Sequence, residues 1–96
     1  MNIEIAPTEY ETMLNWDDAT LYCELLVIDN KNDWRLPTLE ELDDMRKIKN
    51  DFSELYDYWS SVEKREDMAS VMDMTFGGPY SQYKTDINYV RPVRTI

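Results

Sequence analysis

The chain has 96 residues, enough for one domain around one core and too few for two. Its 43% hydrophobic and 31% charged residues make a globular balance, and a net charge of −10 argues against holding nucleic-acid phosphates or anionic membranes by bulk charge. Histidine is absent from the sequence, which removes the commonest general base and zinc ligand, and the single cysteine, Cys23, cannot close an internal disulfide.

Residues 3–5 alternate weakly and suggest a short opening strand, followed by a polar link over 8–13 with no clear period. Asn15 reads as a helix N-cap, with Asp17 and Asp18 in a first turn where the macrodipole favours carboxylates. Ala19, Tyr22, Cys23 and Leu26 then recur at helical spacing, predicting an amphipathic helix over 15–27 that the turn cluster of 29–33 ends. Thr38-Leu39-Glu40-Glu41 is a capping box behind Pro37. It opens a second helix with Leu39, Leu42, Met45 and Ile48 inward, and Glu40, Asp43, Asp44, Lys47 and Lys49 outward.

After Asn50 the pattern turns to strands. A strand is predicted over 58–62, then a charged turn over 63–67. Residues 68–76 alternate with a period of two, Gly77-Gly78-Pro79 turns the chain, and 80–85 runs back antiparallel. Residues 89–94 form a last strand in which Pro92 favours an edge or an interrupted pairing. Two helices followed by three or four short antiparallel strands give an α+β domain over residues 1–96.

Charge is uneven along this pattern: residues 1–57 hold fifteen acids and five bases, whereas 58–96 hold five of each. The first reading of the acidic half is a solubilising surface, the second a face that steers a basic partner. Residues 1–5 lack the basic and apolar regions of a secretory signal, and no apolar run approaches the ~20 residues of a membrane span. The expected setting is the cytoplasm of a bacterial cell, or a virion.

Four segments occur in order: Trp16-Asp17-Asp18-Ala19 with Tyr22-Cys23, Asp33-Trp34-Arg35-Leu36-Pro37-Thr38 with Glu41-Leu42, Tyr58-Trp59-Ser60-Ser61, and Tyr89-Val90-Arg91-Pro92-Val93-Arg94. Together they resemble the Lcl C-terminal-domain-like family, named for the end domain of a bacterial collagen-like adhesin. The resemblance spans about residues 14–94 and implies a compact C-type-lectin-like fold, with two helices packed on a small antiparallel sheet. It also implies a tendency to trimerise. The Arg-Leu-Pro-Thr segment is similar to the formylglycine-generating-enzyme branch of that fold. That branch depends on active-site cysteine chemistry, which a lone core cysteine does not reproduce.

Trp16, Trp34 and Trp59 are expected in the core, a sugar-stacking platform being the alternative. Arg35 is expected to pair with a carboxylate or cap exposed carbonyls, fixing the loop into the second helix, with a ligand-anion role as the alternative. Arg91 and Arg94 lie three apart, on opposite faces of a strand, so one should be buried against an acid of the first half while the other is solvated. Cys23 reads as a small core hydrophobe. Asp29-Asn30-Lys31-Asn32-Asp33 has calcium-like ligand types but lacks EF-hand spacing and carries Lys31 within it, so no metal is expected.

The segment 77–88 holds the candidate binding residues Tyr80, Gln82, Tyr83, Asp86 and Asn88, interleaved aromatics and polar groups suited to recognition. In C-type-lectin-like folds the corresponding stretch carries the binding surface; otherwise the tyrosines are ordinary strand residues. The expected function is a non-catalytic binding module without cofactor. A protein is the expected partner and a glycan a possible one, with no role for nucleic acid or membrane. An oligomeric, trimeric structural or tail-fibre component of a bacteriophage or adhesin is the alternative, and a small acidic inhibitor mimicking nucleic-acid charge the third reading.

Overall fold

Both helices begin where their caps predict. In the computed structural model, which describes residues 2–48, 52 and 56–96, the Asn15 side chain accepts from the Asp18 N–H at 2.9 Å and α1 runs Trp16–Leu25. It stops two residues short of the expected end, with Leu26 already extended. The Thr38 and Glu41 side chains satisfy each other's backbone N–H groups at the start of α2, Leu39–Lys47. Leu42 and Met45 are fully buried beneath it, while Ile48 is the extended C-cap and half exposed. Lys49, expected on the outer face, lies outside the described residues.

The strands are β1 (Ile3–Ile5), β2 (Thr12–Leu14), β3 (Asp57–Arg65), β4 (Met68–Asp73), β5 (Pro79–Tyr83), β6 (Asn88–Val90) and β7 (Val93–Thr95). They form a five-stranded sheet in the order β2-β6-β3-β4-β5 and a separate β1-β7 pair. All neighbours are antiparallel except β3 and β6, so the larger sheet is mixed and the domain α+β.

Four boundaries differ from the sequence reading. The polar link contains a 3-10 turn, Thr8–Tyr10, and β2, a strand only because β6 lies beside it. The charged turn expected over 63–67 is mostly strand: β3 continues through shifted register to Arg65 as an exposed hairpin arm. β4 ends at Asp73, whose carboxylate accepts from the Thr75 and Phe76 N–H groups, and Phe76 is 85% exposed. The last strand is two, because at Arg91-Pro92 the chain leaves the large sheet and crosses to β1.

Alternation along β3 and β4 sends side chains to opposite faces and gives each helix its own core. Trp59, Ala69, Val71 and Val90 pack under Ala19 and Cys23 of α1. Tyr58, Met72 and Met74 pack under Leu42 and Met45 of α2, together with Val93. The helices therefore cover opposite faces of one sheet. A third cluster, Ala6, Ile28 and Trp34, closes the end near the chain termini. Burial, and secondarily the Glu24 charge, push the Cys23 thiol up to about 12, as for an inert core cysteine.

Three arginines tie the loops around this frame. Arg35 reaches Glu41 through two bonds of 2.8 and 2.9 Å, holding that carboxyl below its ordinary value, and pairs its backbone with Val93. Arg91 is 1% exposed and donates to the Ala6 carbonyl at 2.7 Å and to Glu11 at 3.1 Å. Arg91 is thus the buried member of the pair, and Arg94, on the other face, is not left in solvent but spans Asp33 at 2.6 Å and Glu4 at 2.9 Å. That contact commits Asp33, one of the acids in the calcium-like cluster, to a cation of the chain itself. Among the described residues no helix is long and apolar enough to cross a membrane.

Candidate functional site

β5 forms one edge of the large sheet, and the neighbouring turns set its position. Gly77, at φ +84°, begins the approach to β5, and a Cβ there would fall on the Arg46 guanidinium of α2. Asp73 N–H donates to the Gly78 carbonyl at 3.1 Å, and Lys84 N–H to the Asp67 carbonyl at 2.9 Å. With the register Val71↔Tyr80 and Ala69↔Gln82 between them, the backbone of residues 78, 80, 82 and 84 faces β4. Pro79, Ser81 and Tyr83 therefore turn their backbone groups outward, and the Tyr83 carbonyl accepts from the Asp86 N–H at 2.9 Å.

The five candidate residues separate into two groups. Tyr80, Gln82 and Asn88 lie on the α1 side of the sheet and are linked to one another: the Tyr80 hydroxyl donates to Asp57, Gln82 donates to the Tyr80 oxygen at 3.0 Å, and Asn88 donates to Gln82 at 2.8 Å. Desolvation first, then the Asp57 carboxylate, pushes the Tyr80 phenol up to about 12, so it stays a neutral donor. Asn88 is buried at 7% exposure and serves this chain of bonds; it is not presented to solvent. Tyr83 projects from the other face, 54% exposed, and Asp86 stands exposed in the following turn.

Beside Tyr83 lies an open groove of about 830 Å³ lined by Asp17, Arg65, Asp67 and Lys84. Its cations are engaged within the chain, Arg65 with Asp67 and Lys84 with Glu63. A smaller cleft of about 190 Å³ lies between α1 and residues 34–36, lined by Trp16, Thr20, Glu24, Trp34 and Ser61. Sequence reasoning kept the tryptophans in the core and did not join them into a cleft. The signal was there in two indoles flanking the helix that carries Thr20 and Glu24. Trp59 and Trp34 are buried, whereas Trp16 is half-buried, with its N–H on the Ser60 carbonyl at 2.9 Å and Lys84 Nζ 4.7 Å from its ring centre.

The order of these segments along one scaffold now meets an outside comparison: the Lcl C-terminal domain pattern matches residues 4–94. The chain belongs to the Lcl C-terminal domain family. The match takes in both helices and β2 to β6 whole, and it begins within β1 and ends within β7, the pair that brings the two ends together. No curated protein shows significant sequence similarity to this family member.

Proposed function

We propose that this Lcl C-terminal-type domain is a non-catalytic recognition module that contacts a protein partner through the β5 edge and the turn after it. The carrying observation is the edge strand itself. Pro79-Tyr80-Ser81-Gln82-Tyr83 has no charge in a chain with a net charge of −10, and four of its five residues are exposed. Edge strands are ordinarily protected by charge, proline, a bulge or a covering segment; β5 has a proline only at its first residue, and an exposed uncharged edge is suited to strand addition. Tyr83 supplies an aromatic anchor at low conformational cost. The C-type-lectin-like assignment belongs to the same proposal, supported by the paired chain ends and by a late stretch on the outside of a two-helix frame. So does a setting in the bacterial cytoplasm or a virion.

The test is capture from a lysate of the source cells on the immobilised chain. The parent should retain a protein that Tyr83→Ala loses, while Met13→Ala, on the opposite edge strand, keeps it. Equal capture by all three, or none by the parent, would overturn the assignment. A glycan reading has one observation in its favour, the Trp16–Trp34 cleft with its hydroxyl and carboxylate rim. At about 190 Å³ it is below the 300–1,000 Å³ typical of ligand pockets, which leaves room for a single sugar unit at most. Titration of a monosaccharide panel followed by tryptophan fluorescence tests it; unchanged emission would exclude that cleft.

A further inference from the structure

The outer faces of the two helices differ. On α2 the exposed positions between the caps are charged, Glu40, Asp44 and Lys47, as suits a helix with one face in water. On α1, Leu21 and Leu25 point away from buried Ala19 and Cys23 and are 50% and 71% exposed. Exposed Val27 follows where the chain leaves the helix. Asp17, Leu21 and Leu25 recur every four residues and form one ridge, of the kind that packs into the groove of another helix. At helical spacing Asp18 borders that ridge on one side and Glu24 on the other.

These acids have no cation of their own. Among the described residues Asp17, Asp18 and Glu24 enter no ion pair. The last turn of α1 carries no basic residue, whereas that of α2 carries Arg46 and Lys47, so the negative end of the α1 macrodipole adds to Glu24. We propose that the outer face of α1 is a second docking surface, and that it takes an amphipathic helix of another protein whose apolar stripe is bordered by lysine or arginine. Burial of the leucines drives the contact, and the partner's cations meet Asp18, Glu24 and the carbonyl end of α1. A second copy of this chain fits poorly, because it brings the same acids. Among its described residues every lysine and arginine except Lys64 is already paired with a carboxylate of its own chain. The same acids repel an anionic lipid surface. This face is separate from the β5 edge, and neither reading requires the other.

The probe is a dye-labelled peptide of about 18 residues, long enough to hold a helix, with leucines at helical spacing and lysines on both borders. Anisotropy titration against the full chain should show saturable binding that weakens as salt rises, and a twin with glutamates for lysines should not bind. Leu21→Gln with Leu25→Gln should raise the dissociation constant at least about tenfold, with the melting temperature near the parent's. Asp17→Asn with Glu24→Gln should raise it about fivefold. Glu40→Gln with Asp44→Asn removes the same charge from the outside of α2 and should leave binding unchanged. The α1 charge pair keeps the test valid if the leucine variant folds poorly.

No saturable binding by the parent, equal binding of the twin, equal weakening by the two charge pairs, or binding undiminished by the leucine pair would overturn the proposal. So would a parent that sediments as a trimer and a leucine variant that does not, since copies of the chain would then cover α1. Tyr83→Ala should bind the peptide as the parent does. If it loses the peptide, the contact lies at the β5 edge, and the α1 assignment fails while the recognition reading stands.

Discussion

The end of the molecule where β1 meets β7 and the edge formed by β5 use polar groups in opposite ways. Around β1 and β7, Arg91 and Arg94 bind carboxylates and a carbonyl from segments distant in the sequence, and Arg35 joins the nearby Glu41 to the Thr95 hydroxyl of β7, so the cations are spent on closing the chain. Along β5 there is no charge at all, and its outward backbone groups, apart from the Tyr83 carbonyl bonded to Asp86, are the ones we propose a partner meets. The acidic excess of the first half is thus partly internal: Glu4, Glu11, Asp33 and Glu41 are all ligands to arginine. A net charge alone does not distinguish a steering surface from a set of internal ties.

Substitution can break this contrast, beginning where the largest loss is expected. Trp59→Ala empties a fully buried site under α1 and should cost about 3–5 kcal/mol in denaturant unfolding. Arg91→Ala removes a buried guanidinium, taking the cation from Glu11 and a donor from the Ala6 carbonyl, for a loss of about 3–5 kcal/mol by the same measurement. A loss under about 1 kcal/mol would show that the closure is not held by that arginine.

Arg35 and Glu41 are partly exposed, so Glu41→Gln should cost less, about 1–2 kcal/mol near neutral pH after allowing for solvent screening. Its pH dependence sharpens the comparison. Arg35 holds the folded Glu41 carboxyl below the ordinary 4.5, so the stabilisation is complete above that pH and is lost as pH falls through the lower folded value. The melting-temperature gap between parent and Glu41→Gln should therefore narrow on acidification below 4.5; a gap that is constant or widens would place the effect elsewhere. Smallest of all, Tyr83→Ala should stay within about 0.5 kcal/mol of the parent while changing what the chain associates with.

What the sequence made legible was local, or followed from one strong preference. Both helix caps lie within four residues of their partners, and the burial of Trp34 and Trp59 follows from apolar area. The pairing of Arg35 with a carboxylate was readable because Glu41 sits one helical turn into the segment Arg35 introduces. β2 was not legible, since its three residues become a strand only through β6, which lies far along the chain. Nor was the reach of β3, whose charged residues from Glu63 onward look like a turn until β4 pairs with them. That neither arginine of the pair Arg91 and Arg94 stays solvated was not legible, because strand alternation fixes only a side chain's direction, and Asp33 and Glu4 reach Arg94 through the β1–β7 closure. At the candidate site, composition located the right stretch. Only register separated the outward Tyr83 from the internally bonded Asn88.

The antiparallel register Ile3↔Thr95 sets the first and last strands side by side, at a spacing of about 5 Å. A domain whose entry and exit points adjoin in this way can be grafted into a surface loop of an unrelated host without stretching either flank. Cutting the backbone at an exposed turn such as the one at Glu66 and joining the old ends with a short linker should likewise give a permuted chain that still folds.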